Sequence, residues 1–203
     1  MKNTFITILV SLVFNISFAQ NMVKMKIERG TDNKELDDIL DFENICLDKF
    51  EFSSKDIIGK NYEINIVEFK DGKIVSTTQL FESSEIDLFK VKEKKITFTL
   101  LTKFIDKTKL KIALKFDRFG SKTLFFDLIE TKFGYTMKDF LGSKSELELP
   151  LENEFYITSI ISPTMHEDGS ASYCEVVKSK NPEKIGEEYK IPHYFLIKMK
   201  FKE

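Results

Sequence analysis

The chain has no tryptophan, two cysteines and two histidines among 203 residues, against twenty phenylalanines. Absent tryptophan argues against an outer-membrane barrel, whose interfacial girdles are rich in Trp and Tyr. It also thins the stacking surfaces that bind sugars, although Tyr62, Tyr135, Tyr156, Tyr173, Tyr189 and Tyr194 still offer ring faces. A surplus of one charge is missing too: the formal charge is −2, which gives no basic footprint for nucleic acid. No Gly-rich phosphate loop, His-Glu-x-x-His or Gly-x-Ser-x-Gly occurs, so no assembled catalytic motif or cofactor is expected.

Long apolar runs are confined to the beginning. In MKNTFITILVSLVFNISFAQ, Lys2 precedes an almost uncharged run from Phe5 to Phe18, and Ser17 and Ala19 are small residues before Gln20. That is the layout of a secretory signal peptide, and the run is short for a membrane span of roughly 20 residues. The expectation is a signal over 1–19 and one domain over 20–203. No cysteine follows the run to carry a lipid. The mature chain is therefore expected in the periplasm or outside the cell, neither anchored nor membrane-spanning.

What is abundant is alternation. TDNKELDDILDF predicts one short helix, with Asp32 as N-cap, Glu35 completing a capping box, and Leu36, Ile39 and Leu40 on one face. From Asn44 onward the period becomes two. Asp71-Gly72 marks a tight hairpin, in which Lys70 is expected to face Lys73, Phe69 to face Ile74 and Tyr62 to face Phe81. Ile96, Phe98, Leu100 and Phe104 alternate along one strand, and Leu110, Ile112, Leu114 and Phe116 along the next. The C-terminal run sets Phe195, Ile197, Met199 and Phe201 against Lys198, Lys200 and Lys202. GYTMKDFLG reads as a helical turn and GSKSELELP as a connection. Phenylalanine has no polar handle, so its natural place is a dry core. Together these patterns predict a mostly β fold: an antiparallel β-sandwich of about nine to eleven strands with one short N-terminal helix. A small closed β-barrel is the alternative.

Two groups of residues invite chemistry. MHEDGSASYC, Met165–Cys174, gathers a histidine, two carboxylates and a cysteine. Asp168-Gly169 has the signature of a two-residue hairpin loop. In that register Cys174 shares an apolar face with Met165 and Pro163, while His166 points to the other face with Thr164, Ala171 and Tyr173. The register separates the thiol from the imidazole, and three ligands on a solvated turn are too few for zinc. Cys46 and Cys174 form a candidate disulfide in an oxidising compartment. It closes a loop on the order of a hundred residues, for which the chain-entropy model gives about 4–5 kcal/mol. Two buried free thiols fit the sequence equally well.

Charge is uneven. Glu28 to Asp56 holds ten acidic and four basic residues, and Lys90 to Arg118 ten basic and three acidic. Lys109, Lys111 and Lys115 on one strand, and Lys198, Lys200 and Lys202 on another, are a candidate cationic surface, although lysines also simply solvate and protect strands. DGSASYCEVVKSK with IPHYFLIKMKF, and GKNYEINIVEFKDGKI, resemble segments of small exported bacterial β-rich proteins of unknown function. The resemblance implies a signal-bearing β domain and carries no activity. The functional expectation is an exported, non-catalytic module that binds a protein or glycan of the cell envelope. The alternative is a hydrolase using paired carboxylates in a cleft.

Overall fold

A computed structural model describes residues 21–121, 123–173, 179 and 181–203. The expected signal over 1–19 lies outside the described residues. In chain order the strands are β1 (Met22–Arg29), β2 (Ile45–Ser53), β3 (Asn61–Lys70), β4 (Lys73–Glu82), β5 (Lys95–Phe104), β6 (Lys109–Lys115) and β7 (Leu124–Asp127). They continue as β8 (Thr136–Asp139), β9 (Leu147–Pro150), β10 (Phe155–Ile161), β11 (Thr164–Met165), β12 (Ala171–Ser172) and β13 (His193–Lys202). The helices are α1 (Lys34–Phe42) and α2 (Ile185–Tyr189). Sheet A has the order β7-β6-β5-β2-β1-β9, sheet B the order β4-β3-β13-β10-β8, and β11 and β12 form a separate hairpin. Every pairing between these strands is antiparallel.

The alternation determines what each strand buries. Phe50, Phe52, Phe98, Leu100, Leu110 and Ile112 of sheet A share one hydrophobic cluster with Ile64, Ile66, Ile157, Phe195, Ile197 and Met199 of sheet B. Phe52 bridges the layers, with ring centroids 5.9 Å from Phe155 and 6.3 Å from Phe201. Each such side chain contributes about 1.5–3 kcal/mol when fully buried. The dry-core expectation for phenylalanine fails at three places: Phe42, Phe125 and Phe133 are 83%, 61% and 44% exposed.

The mostly β class holds, and its details need correction. Thirteen strands occur among the described residues, not nine to eleven, because two-residue and four-residue strands are too short to register as periodic runs. The excess includes Thr136–Asp139, expected as a helical turn, and Leu147–Pro150, expected as a connection; each is added at a sheet edge by backbone pairing. Among the described residues no closed barrel forms: β7 and β9 terminate sheet A, and β4 and β8 terminate sheet B. A second helix, α2, has five residues, fewer than the 3.6-residue period needs to become visible. In α1 the N-cap is Asn33, not Asp32; its Oδ1 accepts from the Glu35 and Leu36 amides at 3.0 and 3.2 Å. The helix buries no residue. No helix among the described residues is long and apolar enough to cross a membrane.

The Asp71-Gly72 hairpin forms with positive φ at both residues, 48° and 73°, as a type I′ turn requires. Lys70 faces Lys73 and Phe69 faces Ile74 as expected. Irregularities after Glu68 and Ile64 then shift the register, so that Ile64, not Tyr62, lies opposite Phe81.

Candidate functional site

Toward the Arg29 end of β1 the inward-facing rows change chemistry. On β1 the inward row is Val23, Met25, Ile27 and then Arg29; on β2 it is Phe52, Phe50 and then Asp48 and Cys46. Arg29 and Asp48 are direct cross-strand partners. From sheet B, β8 contributes Met137 and Asp139, both buried. Arg29, Asp48, Cys46, Met137 and Lys138, with Asp37 and Asp41 of α1, line a cleft of about 320 Å³. Gly30 makes the turn into α1 at φ +64°, and a Cβ there would lie 2.5 Å from Asp37 Oδ1. Only glycine meets both conditions without strain.

The two aspartates are treated differently. Asp139 forms an ion pair with the Arg29 guanidinium, and its Oδ1 accepts from the Leu141 amide at 2.7 Å. Asp48 is 4% exposed, and its Oδ2 is buried without a hydrogen-bond partner among the described residues. Burial pushes its carboxyl above the usual range, opposed only in part by Arg29. Cys46 is half-buried and forms no disulfide among the described residues. Burial raises it, against a hydrogen bond with Thr102, and the neighbouring Asp48 raises it further. A reactive thiolate is not favoured in such surroundings.

A second polar chain runs inward from sheet B. His193 is fully buried. Its Nδ1 lies 2.7 Å from the Tyr135 hydroxyl and its Nε2 3.1 Å from Glu68 Oε1. An ionised carboxylate only accepts, so Nε2 carries the proton and Nδ1 accepts from Tyr135. Burial lowers the His193 pKa, against the hydrogen bond to Glu68. Burial pushes the Tyr135 hydroxyl up to about 12. Glu68 stays below the ordinary value despite burial, because Lys70, Ser76 and His193 all donate to it. Every ring and carboxylate atom here has an internal partner, so this chain ties loop to sheet.

The six lysines singled out by sequence are divided between two faces. Lys109, Lys111 and Lys115 lie on the outward face of sheet A, and Lys198, Lys200 and Lys202 on the outward face of sheet B. Lys109 pairs with Asp127, Lys198 with Glu154 at 2.6 Å, and Lys202 with Glu63 and Glu82. Cys174, the proposed partner of Cys46, lies outside the described residues. The His166 loop is a three-residue turn, not a two-residue one. Met165 pairs with Ala171, the His166 amide bonds the Ser170 carbonyl at 3.0 Å, and Gly169 takes φ +81°. The slip reverses the faces, and His166 Nε2 meets Ser172 Oγ at 3.1 Å. The exclusion of a Cys–His pair rested on the other register and falls with it. Asp168 turns back to accept from the Ser170 amide and hydroxyl at 2.9 and 2.6 Å. Among the described residues no group of three or more His, Cys, Asp or Glu could hold a metal ion.

Arg29, Asp48 and Asp139 were missed by sequence reasoning. Their signal was nevertheless present for two of them: Arg29 and Asp48 occupy the phase of their strands' apolar residues. Comparison of the chain with family models, curated proteins and solved structures finds no match.

Proposed function

We propose that Gln20–Glu203 is an exported single-domain β-sandwich that binds a hydroxyl-rich ligand, a glycan segment of the cell envelope, in the cleft beside Asp48. One observation carries this reading: Asp48 lines the cleft, and its buried Oδ2 has no hydrogen-bond partner among the described residues. Such a group costs about 1–3 kcal/mol, and a ligand hydroxyl supplies the donor that the chain lacks. Arg29, held in place by Asp139, adds a rigid fork of donors for ligand oxygens. The test titrates purified Gln20–Glu203 against oligosaccharides by calorimetry. Saturable binding that Asp48→Ala abolishes supports the reading, and no binding across the panel ends it. Export is tested by the mass of the chain recovered from periplasm and medium, where an intact N-terminus contradicts cleavage before Gln20.

A hydrolase is the second reading, favoured by the unequal carboxylates. Asp48 is pushed toward the protonated form by burial, while Asp139 is paired with Arg29. Divergent environments of this kind assign an acid and a base. Turnover of chromogenic glycosides that Asp48→Asn removes while binding persists would select it over the module.

A further inference from the structure

The outward face of sheet A carries an apolar row that crosses the strands. Leu47 lies opposite Leu101, and Leu101 opposite Ala113. The row on one side is Ile45, Lys103, Lys111 and Phe125; on the other, Lys49, Thr99 and Lys115. Leu40, Ile45, Leu101, Ala113 and Thr123 with Lys111 and Lys115 line a groove of about 320 Å³. Lys111 and Lys115 each stand two residues from Ala113 on the same strand face, roughly 7 Å along the strand, within reach of a group placed beside Ala113 and Thr123. Lys103 is already paired with Glu43. Lys111 and Lys115 form no ion pair among the described residues.

We propose that this groove binds a single-chain anionic amphiphile of the fatty-carboxylate type. The tail lies along Ala113 and Leu101 toward Leu40 and Ile45, and the carboxylate sits between the Lys111 and Lys115 ammonium groups. The complementarity is twofold. An apolar row only one side chain wide suits an acyl chain, and two lysines without acidic partners among the described residues flank one end of it. A neutral head would leave those charges unused, and an anion without a tail would leave the row wet.

The test is calorimetric titration of Gln20–Glu203 with dodecanoate below its micelle concentration, beside dodecyl maltoside, acetate and phosphatidylglycerol vesicles. Expected are saturable binding of dodecanoate and affinities at least about tenfold weaker for the neutral detergent and for acetate. The Lys111→Gln/Lys115→Gln double variant and, separately, Leu101→Gln each weaken dodecanoate by about tenfold or more, with circular dichroism unchanged. Asp48→Ala leaves this binding intact, which separates it from the cleft. Absence of saturable binding, equal affinity for dodecyl maltoside, indifference to both substitutions, or attachment to vesicles alone would each overturn the proposal.

Discussion

The outward faces of the two sheets begin alike and finish differently. Both alternate lysines with apolar or polar residues along their strands. On sheet B, Tyr194 and Leu196 of β13 point outward with Val67, Phe69 and Ile161, and all are buried in a second small core with Ile185 and Ile191. Helix α2 is the cover. The Tyr194 hydroxyl donates to the carbonyl of Glu183, just before the helix, at 2.7 Å, a left-handed Lys190 ends the helix, and in the core it covers Phe69 stacks on Tyr194 at 4.7 Å. Farther along the same strand, Lys198 is neutralised by Glu154 and Lys202 by Glu63 and Glu82. On sheet A the row Leu47, Leu101 and Ala113 stays partly exposed. Similar grammar thus makes a second core where the chain supplies a lid, and an open groove where it does not.

The largest expected effect breaks the covered face. Leu196→Ala should cost about 2–5 kcal/mol in urea unfolding, whereas Leu101→Ala on the open face should cost less than about 1 kcal/mol. Equal costs would mean that the faces do not differ. Gly186 comes next. A Cβ there would lie 2.6 Å from Tyr194 Cε1 and 3.0 Å from the Ile191 carbonyl, so Gly186→Ala should cost about 1–3 kcal/mol by prying α2 from sheet B.

Between the sheets, Asp48 gives the opposite sign. Its folded pKa is raised by burial above the ordinary 3.8. The stability it contributes is therefore complete below that pH and lost as pH rises through the folded value. Asp48→Asn should stabilise the chain by about 1 kcal/mol at pH 7, a gain that vanishes below pH 3.8. A pH-independent difference would remove the buried-charge account.

The smallest effects compare paired with unpaired lysines. Lys202→Gln should cost about 0.5 kcal/mol and Lys111→Gln close to none. Although burial works against it, donation from Lys202 and Ser84 holds Glu82 below its ordinary 4.5. That stability is present above pH 4.5 and lost as pH falls through the folded value. Lys202→Gln should therefore flatten the acid limb of a stability profile, and Lys111→Gln should leave it unchanged.

Much of this was readable residue by residue. Asp71-Gly72 announced its turn because few dipeptides tolerate positive φ twice, and the inward rows of β5, β6 and β13 followed from period two. The His166 loop was misread by one residue because Asp168-Gly169 also suits a three-residue turn with Gly in the left-handed position, and sequence does not rank the two. Asp139 was hidden in a four-residue edge strand, which has no periodicity of its own.

By itself, the order of residues decided which side chains share a strand face, since alternation is a property of the local backbone. It did not decide which faces become covered, which carboxylate loses its partner, or which lysines meet acids. Those outcomes depend on contacts between segments far apart in the chain, such as Arg29 with Asp139 across the two sheets or Tyr194 with Phe69 across neighbouring strands of sheet B, and only the tertiary structure brings them within reach.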